Sequence, residues 1–389
     1  MRIIRNILRV AHREGHIFIT NKIYFVCMVL SPLLVTLFFT SLMNEGQPVE
    51  MPVGVVDLDN TTTTRKFVRM LDSFQSSKVV AHYPSVEAAR KAIQRGKIYA
   101  FMYFPKNTTS DLMASRQPKI SFYYSSTSIT AGALLFKEMK TVSMLGNAAV
   151  GQATMRAKGY TEKQITSYLQ PIVVESHNIG NPWISYNIYL STMLIPGCLL
   201  LFVFLVTAYS FGAELKFNTN KDLMRVAGDN LFVAVIGKLM PQTIVFTGVI
   251  WVALTYMFGI LHFPAPGGMF NLYALSFFAV IGSQGLATLI FAMMPSMRLS
   301  VSVCSLWSVL GFSMAGSAFP VIAMDRVLEM LSWLFPLRHY YVIYQLCVFN
   351  PYPLSDAWTH IAALVVFTLI PWLFYKRLGN ALRNYVYVA

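Results

Sequence analysis

Six stretches of this chain are apolar over bilayer-crossing lengths, and no soluble fold of this size can hide them. They run over about 23–43, 188–209, 231–261, 272–294, 299–321 and 357–375, against the ~20 residues needed to cross hydrocarbon. Only 12% of the 389 residues are charged and 55% are apolar, where a soluble domain carries about 25% charged. Surface shrinks too slowly with size for the chain to bury that much oil in itself. Hydrocarbon must be the solvent for much of it. The 231–261 stretch exceeds one crossing and is expected to tilt or to begin outside the core. Arg2, Arg5, Arg9 and Arg13 precede the first stretch, which lacks a small-residue cleavage site, so it reads as a retained span.

The net charge of +14 would point a soluble protein toward nucleic acid; in a membrane protein it reports orientation instead. Arg2, Arg5, Arg9, Arg13 and Lys22 lie before or at the first span, Lys216, Lys221 and Arg225 between the second and third, and Arg298 between the fourth and fifth. Lys376, Arg377 and Arg383 follow the sixth. The opposite side offers only Arg326 and Arg338 in short segments. Lysine and arginine in short loops mark the cytoplasmic face, so both termini are expected there, in an inner (plasma) membrane crossed six times. Trp183, Tyr186, Tyr189, Trp372 and Tyr375 sit where aromatic belts form. Residues 1–20 set Ile3, Ile4, Ile7, Leu8 and Val10 against the arginines, the pattern of a helix lying along a lipid surface.

The polar segment 44–182 reads as a folded external domain. Val53–Asp57, Lys78–Tyr83, Ile98–Phe104 and Lys119–Tyr124 have strand patterns. Between them, a helix capped by Thr61–Thr64 buries Phe67, Met70, Leu71 and Phe74, and a helix Val86–Arg95 follows Ser85 and stops at Gly96. Alternating strands and helices predict an α/β fold. From about 130 to 169 the pattern turns helical, with Thr161 and Gln164 spaced as a capping box, and is expected to form a stalk. Pro320, Pro336, Pro351 and Pro353 break the apolar stretch 320–354 into external re-entrant helices, one of them, Arg326–Phe335, with Asp325 placed to cap it. The organisation is then a surface helix 1–20, a span 21–43, an α/β domain 44–182, and spans two to six over 183–389 with a loop at 211–230.

Candidate enzymatic chemistry is sparse. No segment fits GxxxxGK[ST], so any ATP must be bound by another chain. Val53–Thr61 ends in Asp57-x-Asp59-x-Thr61, which resembles the first motif of the haloacid-dehalogenase phosphatases, nucleophile and acid/base beside magnesium. The competing reading is a strand ending in turn and cap residues, and the domain's other acids are too scattered to complete such a site. Histidines 82, 177, 262, 339 and 360 are isolated in sequence, and His12 and His16 lack further ligands nearby, so no metal is expected.

The stretch from Phe211 to Met224 mixes both charges with recurring apolar residues and runs on to Gly237-Lys238-Leu239-Met240-Pro241. It resembles the E-x-E/K-x-G-T-x-x-x-L-L segment and G-K-x-x-P entry of ABC-2 exporter permeases. Glu214, Lys216, Thr219, Leu223, Met224, Gly237, Lys238 and Pro241 match, and Asn218 stands in place of the glycine. The strand at Val53–Asn60, the helix at 85–96, Ala100–Pro105, and Gly316–Pro320 through Leu334–Tyr340 are similar to the subgroup with a large external domain. The resemblance implies a permease subunit, paired with an identical or related permease and driven by a cytoplasmic ABC ATPase that holds ATP and magnesium. Glu214, Lys216, Thr219, Leu223, Met224, Gly237 and Lys238 would couple to that ATPase. Gly311, Ala315, Gly316 and Pro320 would allow close helix packing near the pathway, or ordinary packing within the chain. With almost no ionisable residue in the spans, the expected cargo is amphipathic or lipid-like and an ion relay is not. Nucleic acid is not an expected partner; membrane lipid is, and a periplasmic adaptor stays open. The rival reading is a membrane-anchored receptor acting through its external domain.

Overall fold

The computed structural model describes residues 2–384 apart from 115, 173, 176, 178–180, 182 and 183. Trp183 and the expected domain boundary at 182/183 lie outside the described residues. The chain forms two compact units, Met1–Asn44 with Ile179–Ala389, and Glu45–Asn178.

Among the described residues, six helices of the first unit are long and apolar enough to cross a membrane. After helix α1 (Arg2–Thr20) they are α2 (Lys22–Leu42), α8 (Tyr186–Lys216), α10 (Leu231–Ile260), α11 (Met269–Met293), α12 (Met297–Met314) and α15 (Leu354–Asn384). Glycines set the closest approaches between them, because without hydrocarbon–water repulsion helices associate through packing. A Cβ on Gly197 would lie 2.4 Å from the Phe312 ring, one on Gly212 2.7 Å from Met297 Cα, and one on Gly285 2.1 Å from the Phe367 carbonyl oxygen. The second and fifth spans are thus held close at two levels, and the fourth and sixth at Gly285 and, one turn away, at Gly282, whose Cβ would lie 3.1 Å from the Leu364 carbonyl oxygen.

Three boundaries differ from the sequence expectation, and one of them is the end of the sixth span, which runs past Tyr375 to Asn384. The second span does not end near Tyr209 but continues to Lys216, since Phe211, Glu214 and Leu215 stay buried; Glu214 and Lys216 are therefore on a helix and not in a loop. The fifth span stops at Met314 and not at Val321, because the backbone turns at Gly316 with φ +95°, a conformation glycine adopts freely. Beyond it come two short helices, α13 (Arg326–Ser332) and α14 (Pro336–Ile343). Asp325 holds the N-cap position of α13, but its side chain makes no capping bond.

The second unit carries a four-stranded sheet in the order β2–β1–β3–β4. Its strands are β1 (Met51–Asp57), β2 (Ser77–His82), β3 (Ala100–Phe104) and β4 (Ser121–Tyr124). β1 pairs in parallel with β2 and β3, and β4 runs antiparallel to β3. Strand alternation sends Val53 and Val55 to one face, with α3 (Thr62–Asp72) and α6 (Ile129–Ala157), and Val56 to the other, with α4 (Val86–Gln94). The expected caps form: Thr61 with Thr64, Ser85 to Ala88 N–H, and Gly96 in the left-handed region. A short helix α5 (Thr108–Met113) follows β3, and Gln164 accepts from Thr161 N–H ahead of α7 (Glu162–Leu169). On α6, a Cβ at Gly146 would sit 2.0 Å from the Phe67 ring. Gly146→Leu is expected to lower the stability of this unit by about 1–3 kcal/mol through overpacking, measured by thermal unfolding of the full chain.

Candidate functional site

Where the sequence pattern gathers charge, the structure builds a cluster of four ions, three of them buried and Arg13 half-buried at its edge. Glu14 is fully buried on α1, Glu214 is 3% exposed near the end of α8, and Lys238 is 1% exposed on the first turns of α10. Lys238 Nζ donates to Glu14 Oε2 at 2.7 Å and to Glu214 Oε1 at 2.8 Å. Arg13 grips Glu214 in bidentate fashion, at 2.8 Å and 3.0 Å, the geometry a guanidinium fork gives a carboxylate. Arg13 also bonds Glu14, and the Thr219 hydroxyl donates to Glu214 Oε2 at 2.6 Å. Two cations and two anions cancel, so every buried charge has an opposite partner, the condition under which burial is tolerated. Burial opposes the charge on Arg13, yet the Glu214 and Glu14 carboxylates hold its guanidinium above its ordinary range.

Apolar packing closes the cluster. Val10, Phe211, Leu215, Leu223, Met224, Leu231, Phe291, Leu378 and Leu382 form one buried group at this end of the bundle. Lys238 lies 5.8 Å from the Phe211 ring centre. Gly237 lets α1 approach: a Cβ there would be 2.6 Å from Val10 Cβ and 2.9 Å from the Ile7 carbonyl oxygen. A second short helix, α9 (Asn220–Val226), is tied to the last span by Asn220 Nδ2, which donates to the Leu382 carbonyl at 2.9 Å. Asn218 has φ +54°, the left-handed conformation that a glycine or asparagine accepts, so the turn before α9 keeps its shape without glycine.

The structure divides the sequence-derived residues into two sets. Glu214, Thr219, Leu223, Met224, Gly237 and Lys238 come together inside the cluster or its packing, whereas Lys216 is exposed beside Phe217. The exposed face around them carries Lys216, Phe217, Lys221, Asp222 and Arg225, the last two paired at 2.7 Å. The expected apolar stripe of α1 splits. Ile7, Val10 and Phe18 turn toward the bundle with Glu14 among them, while Ile3, Ile4 and Leu8 are exposed. The role of Glu14 escaped the sequence reading, although a lone acid four residues from both Val10 and Phe18 lies on the buried stripe, and that spacing was the available signal.

Gly311 and Ala315 are buried and Gly316 half-buried. They pack within the chain: a Cβ on Gly311 would lie 3.6 Å from the Phe335 ring, and Arg338 donates to the Ala315 carbonyl at 3.1 Å. Pro320 is exposed. The Asp57 and Asp59 carboxylates are occupied by turn bonds. Asp57 accepts from Asp59 N–H, Asn60 N–H and the Thr64 hydroxyl, and Asp59 from the Thr61 hydroxyl and both Thr109 donors. This is the capping arrangement.

His339 and His360, isolated in sequence, are in fact partners. Their Nδ1 atoms are 2.8 Å apart, His339 Nε2 reaches the Trp333 carbonyl at 2.9 Å, and Trp333 stacks on His360. Burial keeps the His339 imidazole from charging and brings its pKa down to about 4. An unfolded histidine titrates near ~6.5, so the stabilising neutral pair is intact above that pH. It is expected to be lost progressively as pH falls from about 6.5 to about 4. Thermal unfolding across this range should show the drop, and His339→Gln should flatten it.

The family model described as ABC-2 family transporter protein matches residues 22–375. No curated protein sequence matches the chain.

Proposed function

The chain belongs to the ABC-2 transporter family, and from that premise we propose that it is the permease subunit of an ATP-driven exporter, working with a separate ATPase chain. The observation that carries this reading is the four-ion cluster, which joins α1, α8 and α10 at the end of the bundle where the exposed basic face lies. On this reading that end is cytoplasmic, both termini are inside, and the unit Glu45–Asn178 lies outside an inner membrane. Two permeases stand side by side above two ATPase subunits, which hold ATP and magnesium.

Lys216, Phe217, Lys221 and Arg225 then form the contact with the ATPase. Closure of the nucleotide-bound ATPase pair pushes on α9 and the end of α8. The push cannot be absorbed locally, because Glu214 is fixed by Arg13 and Lys238, so α1, α8 and α10 move as a block and carry the spans toward an outward-facing state. The cargo is amphipathic or lipid-like, in keeping with spans whose charges, Asp356 at the start of α15 apart, gather at this end.

Exposed charges at a protein contact set its register and rate of formation. The triple variant Lys216→Glu, Lys221→Glu, Arg225→Glu is therefore expected to reduce recovery of the ATPase with the purified permease at least tenfold. Its unfolding temperature should stay within about 2 °C of the parent, as for ordinary surface changes. Undiminished recovery would count against this contact.

A further inference from the structure

A groove faces outward from α10, α11 and α15, on the side of α10 away from the ion cluster. Its walls include Met240, Ile244, Phe277 and Trp372, and no charged side chain lines it among the described residues. Ile244 is 63% exposed at its mouth. The floor is rigid, because Gly285 brings the fourth span against the backbone of the sixth. Of the polar side chains that line it, Thr243, Thr288 and Thr368 donate their hydroxyls within the chain, and Gln284 keeps a donor without a partner. Gln284 is 2% exposed; its Oε1 accepts from the Thr243 hydroxyl at 2.7 Å, while its Nε2 has no partner and is buried. A buried donor left unpaired costs about 1–3 kcal/mol, and among hydrocarbon chains only a solute bearing an acceptor can satisfy it. Along its helix Gln284 lies about 14 Å from the Met293 end and about 22 Å from the Met269 end at ~1.5 Å per residue, well inside the hydrocarbon layer.

We infer that this groove is a binding site for a neutral, elongated membrane lipophile carrying one hydrogen-bond acceptor, a ketone, ester or ether oxygen, along its hydrocarbon body. The uncharged walls reject an ionised group at that depth, the apolar faces hold the chain, and the Gln284 amide reads the oxygen. The site rests on the chain's membrane location and not on its coupling to an ATPase. Its occupant would press on the stretch of α10 that carries Gly237 and Lys238 on the opposite side, which gives it a route to the ion cluster.

The test uses the full chain in phosphatidylcholine nanodiscs, photolabelled with a diazirine-bearing nonadecane, with nonadecan-10-one and nonadecane as competitors. Labelled peptides are expected within 235–244 and 277–288, and the ketone should compete about fivefold better than the alkane, the worth of one hydrogen bond. Gln284→Met, which keeps side-chain volume, should equalise the two competitors. Gln242→Met removes another buried amide with an unpaired Nε2 that does not line the groove, and it should preserve the difference. Labelling confined to other spans, equal competition in the parent chain, or a preference that survives Gln284→Met would each overturn the proposal. Equal competition in the parent does so even if a variant fails to fold. No ATPase or transport step enters the assay, so its outcome is independent of the exporter reading.

Discussion

Glu214→Leu is expected to destabilise the folded chain by about 3–5 kcal/mol, the cost of leaving buried charges without their partner. Glu214 receives four bonds, two from Arg13 and one each from Lys238 and Thr219. Its removal leaves Lys238, 1% exposed, with Glu14 alone, and Arg13 without its fork. The measurement is denaturant or thermal unfolding of the purified chain in mild detergent. The companion variant separates burial from pairing: replacing Arg13, Glu14, Glu214 and Lys238 together with apolar residues of similar size should recover most of the loss, because a complete buried ion set exchanged for well-packed hydrophobes is often neutral or better. That variant should fold and still fail in coupled transport if the cluster is what fixes the position of α1. A loss below 1 kcal/mol for Glu214→Leu would mean that water reaches these charges.

Gly237→Leu is the second large effect expected. A Cβ alone would press on Val10 and the Ile7 carbonyl, and helix backbone cannot yield as a flexible side chain does. α1 must lift from α10, opening the space around Glu14 and Lys238 to water. The stability cost is about 1–3 kcal/mol from overpacking, and the conformational effect is larger: amide exchange over 2–20 should rise by at least tenfold. Gly248→Leu is the control, since nothing lies within 4 Å of its Cβ position; it should change neither quantity.

Much of this architecture can be read from residues close together in the chain. Spans follow from apolar length, and in the Glu45–Asn178 unit the strands and caps follow from local alternation and from Thr61, Ser85 and Gly96. What could not be read locally are pairings over long separations. Arg13 and Glu214 are 201 residues apart and His339 and His360 are 21 apart, and neither pair shares a helical spacing. The motif around Glu214 marked the right place but left open which side chains face outward. Burial answered that by turning Glu214, Leu223 and Met224 inward and leaving Lys216 and Phe217 exposed. Likewise, an amphipathic pattern on α1 could not separate a face buried by protein from one exposed apolar surface, and Ile4 and Leu8 fell on the exposed side.

The proposed function requires an ATPase to meet this chain at the end where α1, α8 and α10 are locked together. A photocrosslinking residue placed at Phe217, 63% exposed at that end, tests it directly against one at Phe270, 81% exposed where the fourth span begins at the opposite end. Crosslinking to a nucleotide-binding ATPase chain from position 217 and none from 270 is the expected result. Crosslinking from 270 with none from 217 would place the ATPase at the opposite end and exclude this contact.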